Sequence, residues 1–386
     1  MDSILDQLHA LATQGDDAGR HKVLDAIRNL QLRLETPHDT LSRFSGMHLE
    51  ITAARVGADL GIFKILVAND QPLSTSALAA ETGAAPAVLS RILRYLASVG
   101  MIQEAGQGAF TASSTTKTLS QPGYEGGVRH FFDNIGPCLQ AFPGFLADTK
   151  YQDVTNSSNT AFQKAFNTSE TAFQWLPKYP ERFGPLQQVM TVQGAAGVPW
   201  FDVFPFEKEL AGSTAPCAFV DVGGGFGHQC HVLSSRFPGL LGGKIILQDL
   251  KETIVNIPPV FEGFEKMEHN FFTPQPVKGA RFYYLRNILH DWPDDKCVEI
   301  LKNLISAFGP ESQILIDEMV LPNSGVPWEA TTIDLTIMAS LGARERTSAE
   351  WNALLGAAGL KALRIDTYMA RRQDSIIQAV PIHARS

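Results

Sequence analysis

The sequence lacks cysteine pairs, blocks of basic residues and long apolar runs. Its four cysteines are far apart and form no CxxC pair, which argues against a structural zinc site and a disulfide framework and predicts a reducing, cytoplasmic location. They are Cys138, Cys217, Cys230 and Cys297. The N-terminus has no long apolar core of the secretory kind. No run approaches about 18 consecutive apolar residues, so we expect no membrane span.

The charge distribution argues against a nucleic-acid partner. The formal net charge is −8, and the acidic and basic residues are spread along the chain. Affinity for phosphate backbones requires clustered Lys and Arg, which the sequence does not have. The 386 residues are 44% hydrophobic and 19% charged. This length and composition predict a globular protein with two or three domains, or one large domain with an appendage.

Three segments precede the most informative part of the chain. Residues 1–60 have apolar residues at helical spacing, and each early helix has one apolar stripe that a second copy of the chain could cover. Residues 62–122 predict two helices followed by a β-hairpin, which is a winged-helix pattern. A packing module is favoured over a DNA reader, because the second helix offers only Arg91 and Arg94. Residues 123–200 are helical and rich in aromatic residues, which suits a core or the wall of a substrate pocket.

From residue 217 onward, short apolar runs alternate with helical stretches, which predicts an α/β domain with a doubly wound parallel sheet. The segment "CAFVDVGGGFG" reads as a buried strand that leads into a glycine turn. A dinucleotide fingerprint would have its third glycine at position 228, but that residue is His228. The spacing is instead D-x-G-x-G-x-G. It comprises Asp221, Gly223, Gly225 and Gly227.

That spacing resembles motif I of the class I methyltransferases that use S-adenosylmethionine. The next predicted strand, "KIILQDL", ends in Asp249, and an acid at this strand tip binds ribose hydroxyls in nucleotide folds. By the resemblance, the adjoining Leu250 belongs to the same cofactor site. Asn270 and Phe271 stand where the family has an acid and an apolar residue that contact adenine. Asn270 is a departure from that pattern, although its amide can still form hydrogen bonds.

The segment "RFYYLRNILHDWPDDK" raises the question of what His290 does. The apolar run predicts that His290 ends the fourth strand of the sheet, and that Glu318 follows the fifth. Both tips would open onto one crevice. Glu345 is a third candidate, in a loop before a helix. Residue types alone leave three roles for His290: a base, a metal ligand or a packing residue. No His or Cys pair has ligand spacing, so no metal is expected.

Nearby acids have structural explanations. Thr347 and Glu350 form a T-x-x-E capping box, so we expect Glu350 to cap a helix. Asp291, Asp294 and Asp295 stand close to a predicted helix N-terminus, where they complement the helix dipole.

Residues 20–380 resemble the plant-type small-molecule O-methyltransferases, the caffeate and flavonoid group, and their fungal relatives. The resemblance is carried by "LRNILHDWPDDKC", "DEMVLP" and "ARERT", in the family's order. It implies S-adenosylmethionine as cofactor, a homodimer formed through the N-terminal helices, and a Rossmann-like catalytic domain. We therefore expect a helical and winged-helix dimerisation domain at 1–122, a helical connector lining the substrate pocket at 123–200, and the catalytic domain at 201–386.

The resemblance also assigns roles to single residues. His290 would be the general base, flanked by Glu318 and Glu345, and Arg286 would contact the cofactor. Methylation would then occur on a hydroxyl of a small aromatic or polyketide-like metabolite, although a carboxylate acceptor remains open. Six residues are candidates for substrate contact: His130, Phe131, Trp175, Met190, Asp291 and Met338.

Two other functions remain open. Some fungal relatives of this family keep S-adenosylmethionine but catalyse dehydration or pericyclic ring formation without moving the methyl group. The presence of His290 with both glutamates favours methyl transfer. The second is a cofactor-sensing regulator that uses the winged helix, and the acidic charge and the intact catalytic trio argue against it.

Overall fold

A computed structural model describes residues 2–14, 17–192, 198–239 and 244–383. By their internal contacts, Met1–Pro143 and Ala172–Ala196 form one compact unit, and Gly144–Thr171 and Gly197–Ser386 form a second. The expected division at residues 122 and 200 therefore stays a prediction. Within the described residues, no helix combines the length and the apolar character that crossing a membrane requires.

The first unit begins with four helices: α1 (Asp2–Gln14), α2 (Asp17–Leu34), α3 (Pro37–Asp59) and α4 (Ile62–Val67). Thr36 caps α3 in a capping box with Asp39. The apolar segment "ITAARVGADLGIFKIL" belongs to two helices, the end of α3 and α4. The chain breaks at Gly61, whose φ of 67° suits glycine in the left-handed region. No residue of α2 is buried.

The winged-helix module follows as predicted. It consists of β1 (Leu73–Ser74), α5 (Thr75–Thr82), α6 (Pro86–Ser98), β2 (Gln103–Gly106) and β3 (Ala109–Thr111). The three strands pair antiparallel in the order β1-β3-β2. The Ser74 hydroxyl caps α5 by accepting the N–H of Ala77 at 3.1 Å. Leu78, Leu89 and Leu93 are fully buried in one hydrophobic cluster with Phe110 of β3 and Phe63 of α4, so the module shares its core with the preceding helices.

The aromatic middle of the chain is helical. Its helices are α7 (Ser114–Leu119), α8 (Pro122–His130), α9 (Gly136–Asp148), α10 (Ala161–Phe166), α11 (Ala172–Trp175) and α12 (Pro180–Val192). One π-helical turn, Phe131–Ile135, joins α8 to α9. Helices α8 and α12 pack closely: a Cβ at Gly126 would lie 2.5 Å from the Cβ of Gln188. Glycine is therefore required at that contact.

The second unit contains the large sheet. Its helices are α13 (Trp200–Val203), α14 (Phe206–Leu210), α15 (His228–Arg236), α16 (Lys251–Ile254), α17 (Asp294–Ile305), α18 (Trp328–Leu341) and α19 (Ser348–Ala358). Its strands are β4 (Cys217–Val222), β5 (Lys244–Asp249), β6 (Glu265–Glu268), β7 (Phe282–Arg286), β8 (Gln313–Leu321), β9 (Arg346–Thr347), β10 (Leu360–Met369) and β11 (Asp374–Pro381).

The strand order is β10-β11-β8-β7-β4-β5-β6, with β9 paired to β8. Strands β4 to β8 are parallel, whereas β11 pairs antiparallel with both β8 and β10. The predicted doubly wound α/β fold is confirmed; the antiparallel hairpin at its edge was not predicted. Along the chain, β5 and β6 lie on one side of β4, and β7 and β8 lie on the other. This reversal at β4 and β7 opens a crevice at the carboxyl ends of the strands.

Candidate active site

The segment that carries His290 is a turn rather than a strand end. Strand β7 stops at Arg286, and Asn287 takes a left-handed φ of 51°. His290 then lies in a short 3-10 helix, Leu289–Asp291, so the prediction that it ends the strand was wrong. Glu318 lies inside β8 and not after it, because β8 continues to Leu321 through its pairing with β9.

The structure brings His290, Glu318 and Glu345 together in one buried cluster. Nδ1 of His290 lies 2.7 Å from Oε1 of Glu345 and 3.7 Å from Oε2 of Glu318. An ionised carboxylate can only accept a hydrogen bond, so Nδ1 carries a proton and donates this hydrogen bond to Glu345. On the other side of the ring, Nε2 lies 3.5 Å from Oδ1 of Asp291. Nε2 is therefore the nitrogen available to exchange a proton with a substrate.

The two glutamates do different work. Oε1 of Glu318 accepts the backbone N–H groups of Ile288 (2.8 Å), Leu289 (2.8 Å) and His290 (3.4 Å). Such converging N–H groups form an anion-binding nest. Glu318 thus holds the main chain of the turn, whereas Glu345 contacts the imidazole directly. The sequence pattern could not separate these roles, because both residues appear only as acids on matching segments.

The electrostatics of the cluster favour a charged imidazole. Burial by itself lowers the pKa of His290, but the charges of Glu318, Asp291 and Glu345 outweigh it and hold this pKa well above its usual range. Burial also raises the pKa of Glu318 to about 7 and that of Asp291 to about 6. These groups therefore share protons near neutral pH, and the proton of His290 cannot be assigned independently of theirs.

The glycine turn after β4 is built for close approach by a ligand. Gly223, Gly225 and Gly227 have φ values of 73°, 60° and 82°. A Cβ at Gly223 would lie 2.7 Å from the side chain of Ile288, so the glycine turn and the His290 turn touch. A Cβ at Gly225 would meet nothing within 4 Å, which leaves open space over the main chain there. Beneath the turn, burial raises the pKa of Asp221 to about 7.

The residues beside the turn suit a nucleoside with an amino-acid tail. Asp249 ends β5 as predicted, and its two oxygens accept the N–H groups of Gly225 (2.8 Å) and Leu250 (2.7 Å). A carboxylate held in this way keeps lone pairs for two ribose hydroxyls. Leu250 is exposed and Phe271 is half-buried, and both offer apolar surface for a base. The residues present therefore fit S-adenosylmethionine.

Two further predicted cofactor residues are held by their neighbours. Oδ1 of Asn270 accepts the N–H of Phe272 at 3.0 Å, which fixes Asn270 in its own turn. Nη1 of Arg286 lies 3.5 Å from Oδ2 of Asp317, a buried carboxylate that also accepts the hydroxyl of Tyr368 at 2.6 Å. Arg286 stands at the carboxyl end of β7, beside the glycine turn of β4, because these two strands pair.

The substrate candidates are divided between the two units. His130, Phe131, Trp175 and Met190 lie in the first unit; Asp291 and Met338 lie in the second. Trp175 is buried, Met338 is half-buried, and Phe131 and Met190 are exposed. Nδ1 of His130 accepts the amide of Asn134 at 2.9 Å, and burial lowers the pKa of His130 to about 4. His130 is therefore a neutral imidazole with its proton on Nε2.

Three features of the site were beyond the sequence pattern or were predicted differently. Asp291 was expected near a helix dipole, but its carboxylate faces the base. Arg346, which no pattern singled out, is buried beside Glu345.

The nearest ligand atoms of His290, Glu318 and Glu345 also lie within 4.8 Å of one another, a spacing that a metal ion could use. An imidazolium can supply the positive charge that these two carboxylates need, so the expectation of no metal stays a prediction.

Residues 43–121 match the family model of an O-methyltransferase dimerisation domain, and residues 209–361 match that of an O-methyltransferase domain. The chain is 43% identical to demethylsterigmatocystin 6-O-methyltransferase of Aspergillus parasiticus, over 95% of this chain and 94% of the relative. It is 42% identical to the O-methyltransferase lepI of Aspergillus flavus, over 94% of each chain.

Solved structures also resemble this chain. Two of them, called "A Pericyclic Reaction enzyme" and "The structure of LepI complex with SAM", are each 40% identical to it in sequence. Each aligns with a TM-score of 0.93 over 98% of both chains.

Proposed function

The chain belongs to the O-methyltransferase family, and from that premise we propose that it methylates a hydroxyl of a small aromatic or polyketide-like secondary metabolite. Its cofactor is S-adenosylmethionine. The observation that carries the proposal is the buried hydrogen bond from Nδ1 of His290 to Glu345, on a turn that contacts the glycine turn at Gly223. An orienting carboxylate behind an imidazole is the arrangement that a general base requires.

We assign the cofactor contacts as follows. Asp249 would hold the ribose hydroxyls, and Leu250, Asn270 and Phe271 would surround the adenine ring. The main chain at Gly225 and the guanidinium of Arg286 would hold the amino-acid part. When bound, S-adenosylmethionine supplies an electrophilic methyl group to the acceptor oxygen. Asp221, Gly223 and Gly227 would belong to the same cofactor site and shape its turn.

In the proposed reaction, His290 takes the hydroxyl proton on Nε2 while its Nδ1–H remains bonded to Glu345. The imidazolium that forms lies between carboxyl groups that stabilise it. The reactive state must have Nε2 unprotonated. Since the pKa of Glu318 is near 7, the extra proton of the cluster can reside on Glu318 in that state. The base then becomes available near neutral pH even though its own pKa is high.

The six substrate candidates keep their proposed roles toward the acceptor. His130 would donate from Nε2 to an acceptor oxygen of the substrate, and Phe131, Trp175, Met190 and Met338 would provide apolar contact. Asp291 would accept a second hydroxyl beside Nε2. The name of the Aspergillus parasiticus relative refers to methylation of the 6-oxygen of demethylsterigmatocystin, which supports a hydroxyl acceptor here over a carboxylate. A carboxylate would need no base.

A second candidate function is a pericyclic or dehydration reaction beside an unconsumed cofactor. Similarity to the protein called "A Pericyclic Reaction enzyme" favours it. The complete base arrangement of His290, Glu318 and Glu345 favours methyl transfer over a pericyclic reaction, because a pericyclic reaction involves no proton abstraction.

The assembly and location are part of the proposal. The dimerisation domain supports a homodimer formed through the N-terminal helices. All four cysteines are buried free thiols, which suits a cytoplasmic location. We also retain the division at residues 122 and 200 as a working description of the domains.

The test is to incubate the protein with methyl-labelled S-adenosylmethionine and a panel of phenolic polyketides. We expect labelled product and one equivalent of S-adenosylhomocysteine. His290→Gln should lower kcat by about 100-fold or more, because a general base contributes that much, and the exposed control His383→Gln should keep it. Product without S-adenosylhomocysteine would support the pericyclic alternative. Full activity of His290→Gln at neutral pH would refute the base.

A further inference from the structure

We propose that Arg346 is a positioning residue of the active site: it holds the main chain on both sides of His290 by donating to the carbonyls of Leu289 and Trp292. The inference rests on the proposed role of His290 as the base. Within the described residues, the hydrogen bonds of Arg346 reach neither the imidazole nor the glycine turn. Its effect would therefore be transmitted through the placement of His290.

The guanidinium of Arg346 donates to two main-chain carbonyls of the His290 turn, and we call this pair of hydrogen bonds the clamp. Nη1 donates to the carbonyl of Leu289 at 3.1 Å, and Nη2 donates to the carbonyl of Trp292 at 3.0 Å. These carbonyls lie one residue before and two residues after His290. The side chain is 1% exposed, so water cannot replace the guanidinium. A planar guanidinium can serve two fixed acceptors at once, which a lysine ammonium does less well.

Glu318 binds the N–H groups of the same turn. Its carboxylate binds the N–H groups of residues 288–290, while Arg346 binds carbonyls of residues 289 and 292. Both polar edges of this short segment are thus tied to charged, buried side chains. The thiol of Cys297 also reaches the Leu289 and Trp292 carbonyls, at 3.1 and 3.3 Å. A thiol is a weak donor, so Arg346 provides most of the restraint.

The clamp is connected to the imidazole through β9 and the residue that precedes it. Strand β9 pairs with β8, with Arg346 opposite Val320. Glu345, the residue before Arg346, bonds Nδ1 of His290, and its own N–H donates to Asp334 of α18 at 2.9 Å. Displacement of Arg346 would therefore move the turn and the orienting carboxylate together. An error of about 1 Å in such a site can cost about 100-fold in rate.

The charge of Arg346 is balanced away from the turn. Nε and Nη2 donate to Oδ1 of Asp294, at 3.0 and 2.7 Å, and the guanidinium lies 5.3 Å from the ring of Trp351. Arg344 provides a matched control, because it pairs with the same Asp294 and with Glu350. Arg344 is 46% exposed, whereas Arg346 is buried. The two arginines thus share a charge partner but differ in the clamp.

The experiment compares Arg346→Lys with Arg344→Lys in the full chain, with S-adenosylmethionine and an acceptor that the wild type methylates. We expect Arg346→Lys to lower kcat by at least about 10-fold and to change the Kd of the cofactor less than about 3-fold. Arg344→Lys should keep kcat within about 2-fold. Asp294→Asn removes the charge partner but leaves the carbonyl bonds, so it should resemble Arg344→Lys. Thermal unfolding of each variant sets an assay temperature at which all are folded.

A second readout needs no turnover. In protein with ¹⁵N-labelled histidine, the ring signals of His290 report its tautomer and its titration. They should shift in Arg346→Lys and stay in place in Arg344→Lys. If Arg346→Lys fails to fold, Arg346→Gln, which keeps one donor group and loses the charge, takes its place. A wild-type kcat with unmoved His290 signals would overturn the clamp, and so would equal losses in both lysine variants.

The two readouts separate this inference from the proposed function. If the wild type releases no S-adenosylhomocysteine with any acceptor, methyl transfer fails, yet the ring signals still show whether Arg346 positions His290.

Discussion

At the residue scale, the site is governed by three carboxyl groups around one imidazole. Glu345, Glu318 and Asp291 approach the two nitrogens of His290 at 2.7, 3.7 and 3.5 Å. Each negative charge stabilises the imidazolium, which helps once the proton has arrived and hinders before that. The enzyme must therefore limit how many of these charges are present at rest. Burial does so by raising the pKa of Glu318 and of Asp291 into the range of neutral pH.

This balance predicts a pH shift in Glu318→Gln. The amide keeps an oxygen for the N–H groups of Ile288 and Leu289 but removes the charge near Nδ1. An imidazolium without that charge is less stable, so the pKa of His290 falls. The neutral base then appears at lower pH, and the acidic limb of the kcat/KM profile should move to lower pH. The check is a pH–rate profile of the wild type and of Glu318→Gln.

Glu345→Gln should behave differently, because Glu345 bonds the ring itself. The acidic limb should again move to lower pH, but the plateau of kcat should fall by about 10- to 100-fold, since the imidazolium loses its direct partner. The same profiles measure both limbs and plateaus. Identical profiles for the two variants would show that the glutamates do not divide their work as the hydrogen bonds indicate.

Some residue-level predictions succeeded because their physics is local. Thr347 and Glu350 form the predicted capping box, with the Thr347 N–H bonded to Glu350 at 2.8 Å. The difference between Arg344 and Arg346 is not local. Both stand in "ARERT", and only the pairing of β9 with β8 decides that one is buried and the other is exposed. A sequence pattern cannot show which of two similar arginines a distant strand will cover.

At the element scale, the important feature is the turn between β7 and α17. The run "FYYLRNILH" continues with apolar residues through Ile288 and Leu289, so a strand reaching His290 was the natural prediction. The left-handed Asn287 ends the strand instead, and its N–H makes the last sheet bond, to Asp317 at 3.2 Å. The hairpin of β10 and β11 was missed for a related reason: β10 is half-exposed and mixes Lys361, Arg364 and Asp366 with apolar residues.

The turn geometry predicts opposite effects for two substitutions of Asn287. Glycine adopts a positive φ without strain, so Asn287→Gly should keep kcat within about 3-fold. Asn287→Val should lose about 1–3 kcal/mol of folding free energy, because a β-branched residue is strained there. It should also lower kcat, since the N–H groups would leave Glu318. Denaturant unfolding and steady-state kinetics check both. Equal behaviour of the two variants would refute the role of the left-handed turn.

At the scale of the whole molecule, the order of modules that the family resemblance implied is confirmed, whereas the limits at residues 122 and 200 stay a prediction. The winged helix and the doubly wound sheet lie where the sequence indicated. Periodicity identifies an element but not its packing partner, so the aromatic segment 123–200 could not be divided in advance. In the structure, residues 144–171 cluster with the second unit and residues 172–192 with the first. Long-range contacts of this kind have no signal in a single sequence.

The first helices provide the last prediction. Helix α2 has no buried residue, and even its apolar residues are largely exposed. Leu24, Ile27, Leu30 and Leu34 are 42–71% exposed. A helix with this much exposed apolar surface needs a partner. Together with the dimerisation domain, this favours a second copy of the chain as that partner.

We therefore expect the wild type to have the mass of two chains in size-exclusion chromatography with light scattering. The double variant Ile27→Asp and Leu30→Asp should have the mass of one chain, because burying two carboxylates in an apolar interface is strongly unfavourable. The control Leu363→Asp changes a residue of β10 with 45% exposure and should leave the dimer intact. A double variant that remains dimeric would place the interface elsewhere on the chain. Dissociation of the control as well would mean that the aspartates act through general destabilisation rather than through α2.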